Sequence, residues 1–306
     1  MRAYVTGGSG FVGGWLRAHL EDHGDEVLLA GDELDVTDGD AISADIVAAA
    51  PEVVYHLAAL ADVARSWEDP VRTFEVNAVG TLRVLEAARR CSLPPVVIVV
   101  SSAEVYGRTV GTEPLREQSE LRPVSPYAAS KVAAEYLAMQ AWLGRGVRAV
   151  RVRPFNHVGA GQSAEFVVSA LARRVAQAEL AGGGVVPVGN LGAARDFSDV
   201  RDVVRAYRLL AEAALSDETV AGEAYNVATG RATTVEEVAQ RLCALVDTPV
   251  ELVVDPALFR PVDVPVLFGD ASRLRSVTGW EPQVPLDDTL ADLLGYWRAE
   301  ETKHRP

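Results

Sequence analysis

A chain of 306 residues with 49% apolar and 24% charged residues can bury a sizeable core, which excludes a disordered protein and suits one large α/β domain or a nucleotide-binding domain with a smaller partner. Twenty-nine basic against 43 acidic residues leave a net charge of −14, which excludes a general binder of nucleic acid or of anionic membranes while leaving room for one basic pocket. The longest aliphatic run, Val96–Val100, is far too short to cross a bilayer, and the opening MRAYVTGG has no apolar leader.

In chain order, residues 2–6 read as strand, 11–23 as helix, 26–30 and 53–56 as strands, and 70–91 as a long amphipathic helix. Residues 96–101 follow as strand, 125–143 as helix and 147–152 as strand. Short runs apolar on both faces, separated by helices, indicate a parallel sheet covered on both sides. The right-handed crossover rule makes it doubly wound. After Pro154 the pattern loosens. Helices are expected at 166–178, 200–214, 234–245, 270–278 and 286–298, with a late strand at 224–227, a loop at 159–162 and a turn at 182–184. No repeat or linker divides the halves. The expected organisation gives residues 1–154 and about 193–229 to the nucleotide-binding part, and about 155–192 and 230–306 to a smaller interleaved α/β part for the substrate. Cys91 and Cys243 lack metal or redox spacing. They could form one disulfide, but buried thiols in a reducing cytoplasm are the expectation.

The segment Thr6-Gly7-Gly8-Ser9-Gly10-Phe11-Val12-Gly13 follows the first strand and opens the first helix. Gly7 can turn tightly, Gly10 lets backbone approach a pyrophosphate, and Gly13 lets helix pack close to sheet. The helix N-terminus then offers free N–H groups to phosphates. A ligand-free glycine turn is the competing reading, and position directly after the first strand favours dinucleotide binding. Asp32, at the end of the second strand, can accept from the adenosine ribose hydroxyls and would repel a 2′-phosphate, or it is a solvated loop carboxylate. No Lys or Arg lies between Arg17 and Arg65, so NAD is expected over NADP. Asp35 and Val36 can place a carboxylate and an apolar wall at the adenine. Leu57, Ala58 and Ala59 should line the middle of the cofactor, with His56 in packing.

Tyr127 and Lys131 stand one helical turn apart on one face. A phenol with an ordinary pKa near 10 is a poor catalyst at neutral pH, and a neighbouring ammonium should bring it toward the working range while holding the nicotinamide ribose. The chain has only two lysines, Lys131 and Lys303, which disfavours an accidental pair. Ser102, at the carboxyl edge of its strand, can bond a carbonyl or hydroxyl of the substrate, or cap a turn. Glu104 could remove a carbon-bound proton or simply shape that turn.

In this order and spacing, TGGSGFVG, HLAA, SSAEVYG and YAASK resemble the extended short-chain dehydrogenase/reductase family, which acts on nucleotide sugars. The resemblance covers essentially the whole chain. It implies a Rossmann domain, a small substrate domain, a Ser102/Tyr127/Lys131 catalytic set, and a homodimer in which helices 70–91 and 125–143 pair with their symmetry mates in a four-helix bundle. No other protein partner is expected. Further on, RPFNH.G.GQ with Phe166-Val167, GN…RDF.DVRDV and RP.DVP…GD resemble the GDP-mannose branch of that family, with Ala160 replacing the usual loop proline. The expected substrate-binding residues are Ser102, Asn156, Val167, Arg195 and Arg260. The two arginines supply cations for a diphosphate, although each taken alone reads as a surface salt-bridge arginine. The implied reaction is NAD(P)H-dependent reduction of the C4 ketone of a GDP-6-deoxy-4-keto-hexose. The alternatives are a 4,6-dehydratase with Glu104 as base, or a 4-epimerase, each recycling its NAD internally. The very short stretch between Asp32 and Asp35 and the compact chain favour the reductase, and Glu104 pulls toward the dehydratase.

Overall fold

The computed structural model describes residues 1–108, 113–259 and 264–303. Its first half runs β1 (Arg2–Thr6), α1 (Phe11–Asp22), β2 (Glu26–Leu29), α2 (Gly39–Ala49), β3 (Val53–His56), α3 (Val63–Glu68), α4 (Pro70–Phe74), α5 (Gly80–Arg90), β4 (Val96–Val100), α6 (Pro126–Arg145) and β5 (Ala149–Pro154). The second half continues with β6 (Asn156–Val158), α7 (Val167–Leu180), β7 (Gly184–Val188), β8 (Ala194–Arg195), β9 (Phe197–Asp199), α8 (Val200–Ser216) and β10 (Ala224–Val227). It closes with β11 (Thr233–Thr234), α9 (Val235–Cys243), β12 (Val250–Val254), β13 (Val266–Leu267), α10 (Ser272–Thr278) and α11 (Leu286–Lys303).

Six of these strands form one sheet in the order β10-β5-β4-β3-β1-β2, with every neighbouring pair parallel. The valine-rich runs sort as the expected doubly wound Rossmann sheet because both faces are covered. Leu16 and Leu20 of α1 and Val203, Tyr207 and Leu210 of α8 bury one face. Ile42 and Ile46 of α2, Val84 and Leu85 of α5 and Ala138 of α6 bury the other. Each fully buried Val, Leu or Ile among them contributes roughly 1.5–3 kcal/mol, so the strand ends that carry the site rest on a rigid layer. A separate core joins Leu171 and Val175 of α7, Val186 of β7, Val238 and Leu242 of α9, and Leu290 and Leu293 of α11.

Several features differ from the sequence expectation, which had no helix at α2 or α3. The helix expected at 70–91 is interrupted by a five-residue π-turn, Glu75–Val79, between α4 and α5. The wider turn rotates Asn77 into the interior. Leu274 of α10 and the following Trp280, expected with the substrate part, pack instead into the core under the sheet, where Trp280 Nε1 donates to the carbonyl of Asp202 at 2.9 Å. The short strands β6–β9 and β11–β13 were not anticipated at all. Cys91 and Cys243 are both free thiols. Among the described residues no helix is long and apolar enough to cross a membrane.

Candidate active site

The glycine turn is built as the spacing requires. Gly7 adopts φ +70, and a Cβ there would lie 2.8 Å from the backbone nitrogen of Ala58. A Cβ on Gly13 would lie 2.3 Å from the carbonyl oxygen of Gly7. Gly10, the N-cap of α1, has no side chain to satisfy the first-turn N–H groups, so they and the positive end of the helix dipole are left for an anion. This cradle fits a pyrophosphate. On its other side lie Leu57, Ala58 and Ala59, half-buried, with Ala58 N donating to Thr6 Oγ1 at 3.2 Å. His56 is packing, as expected: its ring nitrogens meet Thr6 Oγ1 at 2.8 Å and Thr81 Oγ1 at 3.1 Å, and burial depresses its pKa to about 3. Val12 is half-buried beside the turn, whereas Phe11 stacks on His157.

Past β2, Asp32 is exposed and Val36 is a buried wall against Gly80. Asp35 accepts from the Thr37 N–H at 2.9 Å and the Thr37 hydroxyl at 2.8 Å, and pairs with Arg72 at 2.8 Å. The Thr37 backbone bond first, and then Arg72, hold its carboxyl down to about 2. The lack of cations between Arg17 and Arg65 is therefore made good in space, because the fold carries Arg72 of α4 to this loop.

Tyr127 and Lys131 are buried together on α6, which is started by Ser125 capping Ala128 N at 3.1 Å with Pro126 in the first turn. Lys131 Nζ donates to the Val100 carbonyl at 2.8 Å and lies 6.0 Å from the Tyr127 ring centroid. The Ser102 hydroxyl neighbours the Tyr127 phenol and favours its ionised form. Glu104 follows in a short turn that Ser102 caps by accepting from Glu104 N at 3.2 Å, and its charge acts on Tyr127. All four expected catalytic residues thus come together. The electrostatics correct one expectation: burial outweighs every favourable contact and pushes the Tyr127 phenol up to about 12 instead of acidifying it. Burial also lowers the Lys131 ammonium to about 8, with the Glu135 charge opposing the shift.

Sequence reasoning missed the residues that hold this set in place. Asn77 Nδ2 donates to Ser130 Oγ at 2.9 Å and to the Leu60 carbonyl at 3.1 Å, and its Oδ1 accepts from Leu60 N at 2.8 Å, which ties α6 to the loop after β3. Glu135, one turn beyond Lys131, is fully buried and takes a bidentate bond from Arg153 at 2.8 and 2.6 Å. It also accepts from the Ser101 hydroxyl. Arg153 Nη1 continues to the Tyr106 hydroxyl at 2.9 Å, which donates to Asn226 at 2.7 Å. A polar residue on the buried face of an amphipathic helix was the available signal for both Asn77 and Glu135.

On the substrate side, Asn156 opens β6 and Val167 begins α7, both half-buried. Arg195 on β8 donates to the carbonyls of Ala194 at 2.9 Å and Val264 at 2.6 Å, bracing the segment beyond residue 263. Beside it Asp196, also missed, is fully buried and accepts from Thr229 N, Thr229 Oγ1 and Gly230 N at 2.7–2.9 Å. Arg260 lies outside the described residues.

The family model described as GDP-mannose 4,6 dehydratase matches residues 31–293. The chain is 35% identical to GDP-6-deoxy-D-mannose reductase of Pseudomonas aeruginosa over 97% of each chain. It is 33% identical to a UDP-glucose 4-epimerase of Mycolicibacterium smegmatis, over 97% of this chain and 99% of that one. Among solved structures it superposes on RMD from Pseudomonas aeruginosa complexed with NADPH with a TM-score of 0.88 at 33% identity, covering 97% of this chain and 99% of that chain.

Proposed function

The chain belongs to the GDP-mannose 4,6-dehydratase family of nucleotide-sugar oxidoreductases, and from that membership we propose that it reduces the C4 ketone of a GDP-6-deoxy-4-keto-hexose. The observation that carries this reading is the 35% identity to GDP-6-deoxy-D-mannose reductase over 97% of each chain, beside a site in which Ser102, Tyr127 and Lys131 stand together. Burial favours the protonated phenol, the form that gives a proton to the C4 oxygen.

A reduced nicotinamide supplies the hydride that goes to C4. Ser102 polarises the carbonyl, Tyr127 donates its proton to the oxygen that becomes the C4 hydroxyl, and Lys131 orients the ribose and steadies the phenolate left behind. Gly7, Gly10 and Gly13 let backbone approach the pyrophosphate, and Leu57, Ala58 and Ala59 wall the middle of the cofactor. Asn156, Val167, Arg195 and Arg260 hold the nucleotide and sugar, and that remote binding positions the ketone. The sheet carries the dinucleotide, and the part built on α7, α9 and α11 carries the sugar nucleotide. NADH is the preferred donor in this reading, because the exposed Asp32 just past β2 would repel a 2′-phosphate and Arg72 is engaged by Asp35; NADPH, bound in the solved relative from Pseudomonas aeruginosa, is the alternative. The cytoplasm suits the two free thiols.

The test is to mix the protein with NADH or NADPH and GDP-, UDP- and dTDP-linked 4-keto sugars. One reduced nicotinamide consumed per GDP-sugar turned over is expected. Turnover of a 4-hydroxy sugar with no net change in nicotinamide absorbance overturns the reading in favour of the dehydratase, which the position of Glu104 supports, or of the epimerase.

Activity should also fall as pH rises through about 8. Burial disfavours the Lys131 ammonium, so its charge is present below that pH and lost above it, while Tyr127 keeps its proton throughout. A kcat/KM profile that stays flat to pH 10 contradicts this assignment.

A second copy of the chain is the expected partner. Val71 and Phe74 of α4, with Trp67 just before them, and Tyr136 and Leu143, two turns apart on α6, are exposed apolar side chains on the helices that a four-helix dimer would pair. Light scattering should give a dimer for the native chain and a monomer for the Val71→Glu/Leu143→Glu variant. A native monomer removes the proposal.

A further inference from the structure

Phe11 and Trp15 stand on the first turns of α1, directly behind the glycine turn, and both reach across to the loop that follows Asn156. Trp15 Nε1 donates to the Ala160 carbonyl at 3.0 Å. The Phe11 ring lies parallel to His157, 6° between planes and 6.3 Å between centroids. Gly159 sits against the same ring, where a Cβ would lie 3.5 Å from Phe11 Cζ and 2.6 Å from Val200 Cγ1. From there the loop is tied into the second core. Gln162 Nε2 donates to the His157 carbonyl at 2.8 Å, Ser169 Oγ to the Gln162 carbonyl at 2.6 Å, and Trp297 Nε1 to Ser169 Oγ at 2.9 Å. The helix that opens at the pyrophosphate cradle and the loop beside the sugar-nucleotide ligands are therefore packed as one connected body.

We propose that Phe11 and Trp15 are positioning residues that couple the two ligands, so that a dinucleotide seated on the glycine turn braces the 159–161 loop and tightens the binding of a nucleoside diphosphate. This rests on the reading that the site takes both. Gly159 and Gly161, the latter at φ +89, make the loop backbone costly to order. A first ligand that immobilises α1 and its two aromatic side chains removes part of that cost for the second. The coupling must be reciprocal, because linkage requires each ligand to change the affinity of the other by one common factor. Neither side chain needs to touch the sugar nucleotide. Trp15 supplies the directional bond, and Phe11 supplies the surface on which the loop lies.

Calorimetric titration of GDP into the whole protein, with and without saturating NADH (and NADPH in parallel), tests the coupling. The native protein should bind GDP about 5–20-fold more tightly when the cofactor is present, and GDP should strengthen cofactor binding by the same factor. Trp15→Phe keeps a ring in place and removes the N–H. It should cut that factor to about twofold or less while binding NADH alone as the native protein does and melting at the same temperature. Phe11→Leu should reduce the factor as well. Equal GDP affinity with and without cofactor in the native protein overturns the coupling, and so does a Trp15→Phe protein that keeps the full factor. Failure of GDP and UDP to bind in any state is a different result, which overturns the sugar-nucleotide reading and the coupling with it.

Discussion

Tyr127→Phe should lower kcat by about 10²–10⁴-fold, the usual contribution of a positioned proton donor, while leaving the affinity for reduced nicotinamide nearly unchanged. The ring of Tyr127 is buried against α6 and keeps its packing in the variant. Only the hydroxyl beside Ser102 is lost. Without it the oxygen at C4 must take its proton from water or from Ser102, whose hydroxyl has no ammonium one helical turn away to steady the resulting charge. Steady-state kinetics together with a fluorescence titration of NADH separates the two effects. A variant that retains kcat within a few-fold of the native value would remove Tyr127 from the chemistry. A variant that loses NADH binding would show that the phenol supports the cofactor more than the reaction.

Glu135→Ala should destabilise the fold by about 3–5 kcal/mol, the cost of leaving a buried charge without its partner. Arg153 is 3% exposed and Glu135 fully buried, so water cannot replace the missing carboxylate around the guanidinium. The damage should not stay local. The same carboxylate receives the Ser101 hydroxyl next to Ser102 and lies one turn from Lys131. Through Arg153 it also fixes Tyr106 and Asn226. Urea unfolding should show a lower midpoint with an unchanged slope. Replacing both partners with methionine should recover much of the loss, since a packed apolar pair has no charge to desolvate. A single substitution that leaves the midpoint in place would show that this network contributes nothing to stability.

The parts of the site that were legible before folding are those whose geometry is set within a few residues. Tyr127 and Lys131 fall on one face because a helix rises 1.5 Å per residue with 3.6 residues per turn. The cradle of Gly7, Gly10 and Gly13 is one turn between a strand and a helix, and its close contacts follow from the absence of Cβ atoms. The order of the long apolar strands and amphipathic helices was equally local, which is why the doubly wound class and most helix positions could be read directly. The pair of serines at the end of β4 was legible for the same reason, since a strand of known direction delivers its last residues to the ligand edge of the sheet.

Other features depend on which distant segments meet. Arg72 reaches Asp35 only because α4 crosses above the loop after β2, so a count of nearby cations along the chain gave the wrong impression of that corner. Tyr106 and Asn226, 120 residues apart, become hydrogen-bond partners only when β10 is laid beside β5. The π-turn that aims Asn77 inward and the two- to five-residue strands of the second half carry too little periodicity to be seen in a single chain. The protonation of Tyr127 also belongs to this group. Spacing alone placed an ammonium beside the phenol, but the depth of burial, a property of the whole packed core, is what pushes the phenol upward. Residue type and short spacing therefore determined the chemistry on offer, and tertiary packing decided its charge state and its support, because desolvation and long-range hydrogen bonds exist only once the segments have closed on one another.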